Sequence, residues 1–376
     1  MSDVVGAHDR LHSDQGARPG EHPGRSRDPL IKVTGLAWLE FDKPDLVRAE
    51  RFAHAFGLHT ASADADQIRL RGTEAGSPCV ILRRGPRSRF RGLALRAGDE
   101  SDVRRLADKA GMPVHPLPEV IGGVGVGLVD PGGTPVTVVA GLHELDALPA
   151  QRPLVVNSGR QTPRVNTAQR PPREPAAVAR LGHVVLQSTT YRKTLDWYLD
   201  HFGLIVSDFQ YYAGQRDRGP TMSFIRCDQG ATPSDHHTLA MALGPVNRYI
   251  HSAYEVSDLD ALAAGGEYLR DRGYRRSWGI GRHIQGSQIF DYWRDPDGFL
   301  VEHYTDGDVF DDSVETGWAP FTASGLAQWG PPVTRDFLEI EPRYAREQLG
   351  AIATALRGDN EFDVRRLMGM LKVVRS

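Results

Sequence analysis

Between Lys32 and Asp308 the chain alternates short apolar stretches with single amphipathic ones, always in the same order. Arg192 to Phe202 carries Leu195, Tyr198, Leu199 and Phe202 at the spacing of one helical face, and Gly203 follows where a left-handed cap ends a helix. Leu259 to Leu269 repeats that pattern. Thr221 to Ile225, Thr238 to Leu243 and Phe299 to Tyr304 are short, apolar or alternating, and bounded by Gly, Pro or Asp, so they read as strands. The unit is strand, helix, then several strands, or βαβββ.

The unit recurs. Gly35-Leu36-Ala37 followed by Phe56-Gly57-Leu58 has the layout of Gly182-His183-Val184 followed by Phe202-Gly203-Leu204. The turn and strand from Asp130 to Thr137 match those from Asp295 to Glu302. Each half restarts midway, at Leu93-Ala94-Leu95 with a helix from about Asp102, and at His251-Ser252-Ala253 with a helix from about Leu259. The expected fold is α+β, with two domains of two βαβββ modules each, over residues 31–146 and 180–308. Residues 147–179, dense in Pro, Arg, Asn and Gln, form the expected linker. Residues 309–376 form an extension, irregular at first and then two helices from Pro342 broken near Gly358. Residues 1–28, rich in Gly, His, Arg and Asp, read as a disordered tail whose His8, His12 and His22 are solvated.

Composition narrows the function. A formal charge of -3 and a pI near 6.5 leave no sustained basic surface for nucleic acid or an anionic membrane, so a small-molecule partner is expected. The apolar runs fall short of the roughly 20 residues of a membrane span, and the N-terminus lacks a signal-peptide core. Two cysteines, Cys79 and Cys227, are too few for a disulfide framework and fit a reducing compartment, the cytoplasm.

The candidate chemistry sits in the second half. His183, His251 and Glu302 each fall on a strand-like segment, and two imidazoles with one carboxylate can hold a divalent metal on one face while leaving the opposite face open. In the repeat their counterparts are Leu36, Gly92 or Leu93, and Thr137. Positions that are polar in one copy and not in the other are not demanded by packing, so the metal site is expected in the C-terminal domain alone. Strand alternation places Glu302 and Tyr304 on one face and turns His303 away from the site, and it leaves Glu255 as a solvated strand end or a supporting carboxylate.

These residues resemble the type I extradiol ring-cleaving dioxygenases of the vicinal oxygen chelate superfamily, over about Lys32 to Asp308. Gly281-Arg282-His283, Tyr292, Asp295-Pro296-Asp297-Gly298 and Glu302 reproduce the family's histidine, tyrosine, turn and glutamate. Leu181 to Val185 is similar to its first-ligand strand, and Asp235 to Ala240 to its active-site histidine segment. Asp291 departs from the apolar residue that many members carry before the tyrosine.

The resemblance implies that His183, His251 and Glu302 bind Fe(II), or Mn(II) in some relatives, and that a catecholic substrate and dioxygen meet there. The ring then opens beside the diol, through a lactone, to a hydroxymuconic semialdehyde-type product. His237 is the implied acid–base residue, with His236 its competitor: spacing to His251 favours His236, local sequence His237. His283 and Tyr292 are implied hydrogen-bond donors to the reacting oxygens. Val185, His236, Trp293 and Phe299 are candidate pocket walls. A glyoxalase-like metal isomerase and a metal-free binding or resistance protein are the alternatives on this fold. Related enzymes commonly form homo-oligomers.

Overall fold

The computed structural model describes residues 13–373. After a short strand β1 (Asp14–Gln15), four βαβββ modules follow in chain order. The first is β2 (Val33–Lys43), α1 (Leu46–Phe56), β3 (His59–Ala63), β4 (Gln67–Arg71) and β5 (Val80–Arg84). The second is β6 (Arg89–Ala97), α2 (Glu100–Ala110), β7 (His115–Pro116), β8 (Val124–Val129) and β9 (Pro135–Ala140). The third is β10 (Arg180–Ser188), α3 (Tyr191–Phe202), β11 (Leu204–Tyr212), β12 (Met222–Cys227), the short β13 (Ser234–Asp235) and β14 (Leu239–Leu243). The fourth is β15 (Arg248–Glu255), α4 (Leu259–Asp271), β16 (Arg275–Arg282), β17 (Ile289–Arg294) and β18 (Leu300–Thr305). The extension adds β19 (Val309–Phe310), β20 (Gly317–Phe321), α5 (Pro342–Ala355) and α6 (Val364–Val373). No helix of the described residues is long and apolar enough to cross a membrane.

Local chemistry starts and stops the helices. Asp45, Asp99 and Asp258 accept from first-turn amides of α1, α2 and α4, and Gly57, Gly111 and Gly203 end α1, α2 and α3 in left-handed backbone. Helix α3 buries Leu195, Tyr198, Leu199 and Phe202, the face that the spacing predicts.

Within each half the two modules join through their first strands. β2 and β6 pair antiparallel, as do β10 and β15, and each is flanked on its other side by the parallel last strand of its own module. The strand orders are β3-β4-β5-β2-β6-β9-β8-β7 in one large sheet and β1-β20-β11-β12-β14-β10-β15-β18-β17-β16 in the other, while β13 and β19 pair as a small third sheet. Both large sheets bury their helix-facing side chains in one continuous core. Ring contacts seam the halves together: Phe52 meets Tyr274 at 5.0 Å, and Phe56 stacks on His303 at 3.8 Å. Buried Lys43, at the end of β2, pairs with Asp295 and with Asp297 (3.1 Å) in the turn that feeds β18.

The sheet register corrects one detail of the repeat. His183, Ala253 and Glu302 form a row across β10, β15 and β18, and the corresponding row of the first half is Trp38, Ala94 and Thr137. Trp38, rather than Leu36, therefore occupies the place of His183, and Gly92 that of His251. Both β2 and β10 carry an irregularity just before this row, so matching the local Gly-X pairs slips by two residues. Trp38 fills that face of the first half together with Ile81, Ala94, Ile121 and Val139.

The expected tail needs revision too. His8 and His12 lie outside the described residues, and from residue 13 onward the segment, though largely exposed, is tied down at several points. Asp14–Gln15 pair with Trp318 and Gly317, Arg216 binds Glu21, and buried His22 bonds to Asp196 (2.7 Å). Its anchors are backbone pairing and ion pairs, which a low apolar content does not reveal.

Gly57 and Gly111 both cap helices with positive φ, but a Cβ on Gly57 would lie 1.7 Å from the Ala176 carbonyl oxygen, whereas one on Gly111 meets nothing within 4 Å. Gly111→Ala is expected to cost about 1 kcal/mol, the left-handed backbone term alone. Gly57→Ala should cost at least twice that, compared by urea unfolding of both variants.

Candidate metal centre

Register builds the centre. Ala253 lies on the central strand between His183 and Glu302, and its partners stand on strands separated by about 10 Å, twice the usual strand spacing. The small methyl at 253 leaves the two side chains free to converge above it. His251, two residues earlier on β15, shares that face and supplies the third donor, with Val185 as its neighbour on β10. One donor atom from each of His183, His251 and Glu302 lies within 4.8 Å of the other two. All three residues are buried, Glu302 completely.

The donor set fits a cation. His183 Nε2 and His251 Nε2 stand 3.5 and 3.2 Å from the same Glu302 oxygen, Oε2. Yet His183 Nδ1, both ring nitrogens of His251 and both Glu302 oxygens are buried without a well-directed hydrogen bond. Such a concentration of unsatisfied polar atoms is costly unless an ion satisfies it. Burial pushes the Glu302 carboxyl up, but hydrogen bonding and charge from His183 and His251 outweigh it and hold the group well below the usual carboxylate range. Burial lowers His251, against the opposing pull of Glu302, and a carboxylate with an uncharged imidazole is the form that ligates a cation.

Two further groups flank the trio. The His237 ring lies 4.0 Å from that of His183, and its Nδ1 is 3.0 Å from His236 Nδ1. Burial first, then the imidazoles of His183, His236, His283 and His251, lower His237 well below its ordinary value. On the other side, His283 Nδ1–H donates to the Leu326 carbonyl (2.6 Å), which leaves Nε2 to accept from the Tyr292 hydroxyl (2.9 Å). Burial and then Glu302 raise Tyr292 well above its ordinary value, so it remains a protonated donor.

The extension completes this wall. Trp278 Nε1–H donates to the Pro331 carbonyl, and Phe337 packs against Trp278 (4.8 Å) and Tyr292 (4.9 Å). Leu326 and Phe337 escaped the sequence reading because an irregular apolar segment has no periodicity to say what it covers. Asp208, which accepts from His236 Nε2–H at 2.8 Å, escaped it as well, being one acidic residue on a strand without a motif around it.

Some candidates fall elsewhere. Trp293 lies on the opposite face of β17 from Tyr292, buried against α4. Phe299 packs on Phe41 (5.1 Å) and under Lys43 at the seam between the halves. Neither walls the metal pocket: alternation turns Trp293 away, and Phe299 precedes β18 at the helix-facing side. His236 stands behind His237. Val185 keeps its place on the ligand face. Asp291 shares the face of Trp293, where Arg276 binds it through two 2.7 Å contacts and burial pushes its carboxyl up to about 6. The departure at this position thus belongs to helix packing. His303 points away from the trio and donates to the Phe56 carbonyl (2.7 Å), while Glu255 pairs with Arg180 (2.6 Å).

A fold of paired βαβββ modules that, among the described residues, buries a His-His-Glu cluster able to hold a metal ion has the architecture of the vicinal oxygen chelate proteins. Residues 180–303 match the Glyoxalase/Bleomycin resistance protein/Dioxygenase superfamily. The chain is 30% identical over 314 residues to metapyrocatechase 2 of Cupriavidus necator, covering 82% of this chain and 93% of that protein. Among solved structures it resembles the Mn(II)-bound glyoxalase of Novosphingobium aromaticivorans (TM-score 0.66, 25% identity, 81% of this chain and 94% of that one). Homoprotocatechuate 2,3-dioxygenase of Arthrobacter globiformis shares the fold (TM-score 0.66, 20% identity, 83% and 92%). The chain belongs to the extradiol dioxygenase family, and it is an enzyme of extradiol ring cleavage.

Glu302→Ala is expected to abolish stoichiometric metal binding, measured by elemental analysis, while the far-ultraviolet circular dichroism is unchanged. Ala253→Val, which fills the space between the ligands without removing any, should weaken metal affinity at least about tenfold, the scale of supporting positions around metal sites.

Proposed function

We propose that this dioxygenase opens the ring of a catecholic aromatic with dioxygen at one Fe(II) held by His183, His251 and Glu302, giving a hydroxymuconic semialdehyde-type product. Mn(II) is compatible with the same donors. The observation that carries the reading is the convergence of these three ligands on one face, with His237 on one side and the Tyr292–His283 pair on the other. Two imidazoles and a carboxylate on one face are the donor set of non-haem ferrous oxygenases. When bound, the metal supplies a centre at which both diol oxygens and dioxygen can be neighbours.

The protein's own groups then have distinct tasks. His237, uncharged and facing His183, takes a proton released as the diol binds and returns it as the ring opens. The Tyr292 hydroxyl supports negative charge developing on a substrate oxygen by turning its one hydrogen from His283 Nε2, and His283, whose Nδ1–H is bound to the Leu326 carbonyl, holds the phenol in place rather than donating to the substrate itself. Trp278, Phe290 and Phe337 enclose this side and exclude water, which strengthens each polar contact within.

A glyoxalase-like reading is less well supported, because Trp38, Gly92 and Thr137, the counterparts of His183, His251 and Glu302, leave the first half without ligands. We read the location as the cytoplasm, since both cysteines are free and buried and burial pushes each thiol up to about 12, as suits unreactive thiols in a reducing compartment.

Anaerobic loading with ferrous iron, followed by air and a panel of catechols, should give a yellow ring-fission product with one dioxygen consumed per ring opened. Turnover of a glutathione hemithioacetal with none of the catechols would instead establish the isomerase. His237→Phe should lower kcat by about a hundredfold or more with unchanged metal content.

A further inference from the structure

His237 does not stand alone. Its Nδ1 lies 3.0 Å from Nδ1 of His236, whose Nε2 lies 2.8 Å from Asp208 Oδ2. The roles along this line follow from valence. A carboxylate only accepts, so His236 Nε2 carries the hydrogen and Nδ1 of that neutral ring is a bare acceptor. His237 must then donate through Nδ1–H, which leaves its Nε2 with a free lone pair. We infer that Asp208 and His236 are positioning residues that hold His237 in the Nδ1–H tautomer, so that its Nε2 is the atom able to take the proton. The inference rests on His237 being the acid–base residue proposed above.

The surroundings fix both members of the line. His236 is 1% exposed, its ring meets Phe224 and Phe310 edge-on or tilted, and its backbone NH donates to Asp308 O. Its own carbonyl accepts from Ser207 Oγ (2.6 Å), which in turn accepts from Arg226 (2.9 Å). A Cβ on Gly286 would fall 3.0 Å from His236 Nδ1, so the backbone there lies close against the ring. The second oxygen of Asp208 accepts from Ser13 Oγ, brought alongside by the pairing of β1 with β20. Ser13, at the start of the described residues, therefore contributes to the same line.

When His237 takes a proton at Nε2, the ring becomes an imidazolium whose Nδ1 proton can be shared with His236 Nδ1, and Asp208 faces the resulting positive charge. No bond beyond these N–H bonds forms or breaks, and the proton returns along the same path. Proximity of a carboxylate to a charge that forms only during turnover is a term that raises kcat rather than binding.

Nitrogen-15 NMR of histidine-labelled, metal-free protein reads the tautomer directly, independent of whether the loaded enzyme turns over any substrate. The wild type is expected to show His237 as the Nδ1–H tautomer, with signals assigned by their loss in His237→Gln. An Nε2–H tautomer overturns the inference without touching the ring-cleavage reading. Two substitutions separate positioning from packing, because an Asn Oδ1 replaces the acceptor at the His Nδ1 position and a Gln Nε2 replaces only the donor at Nε2. His236→Asn should keep His237 in the wild-type tautomer, and its kcat should exceed that of His236→Gln by about tenfold with similar KM and metal content. Asp208→Asn should shift His237 toward the other tautomer and lower kcat likewise. Equal tautomers and equal kcat in His236→Asn and His236→Gln would reduce the line to packing.

Discussion

The register of three strands governs this protein. β10, β15 and β18 are aligned so that Ala253 lies between His183 and Glu302, and His251 follows one pleat repeat away on the same face. A slip of one residue in any of the three would send its candidate ligand to the helix side, where the core is apolar. The register is held by the opposite face: Val184, Leu186, Tyr254 and Val301 belong to the shared core and cannot be exchanged for imidazoles or a carboxylate without burying polar groups unpaired. The same hydrophobic burial that folds the sheet thus aims His183, His251 and Glu302 at one point.

The two halves solve one geometric problem in opposite ways. Each pair of modules has a sheet face away from its helices that something must fill. In the first half Trp38 and its aliphatic neighbours fill it; in the second, polar side chains leave buried atoms that an ion can satisfy. The first half still serves the site. Lys43 holds Asp295 and Asp297, and Asp295 accepts from the Phe299 amide at the entry to β18, so the strand bearing Glu302 is anchored across the seam.

Segments outside the repeat finish the centre. The extension carries the Leu326 carbonyl that sets the His283 tautomer and the Phe337 ring that packs on Tyr292, while the N-terminal segment reaches Asp208 through Ser13. Both act through backbone groups, an irregular apolar run or a single hydroxyl. None of these has a spacing that distinguishes it in a sequence from an ordinary loop.

Much of the protein was legible in the chain. Periodicity, glycine caps and the repeated turn determined four βαβββ modules, and the contrast between copies singled out His183, His251 and Glu302, because period and side-chain chemistry are local properties. Which residues face each other is not local. Trp38 rather than Leu36 as the counterpart of His183, Trp293 and Asp291 on the helix side, Phe299 at the seam, and His236 behind His237 were decided by strand irregularities and by packing between distant segments. Tertiary structure alone joined Asp208, His236 and His237 into one line, since those contacts depend on how β11 lies beside a segment more than a hairpin away.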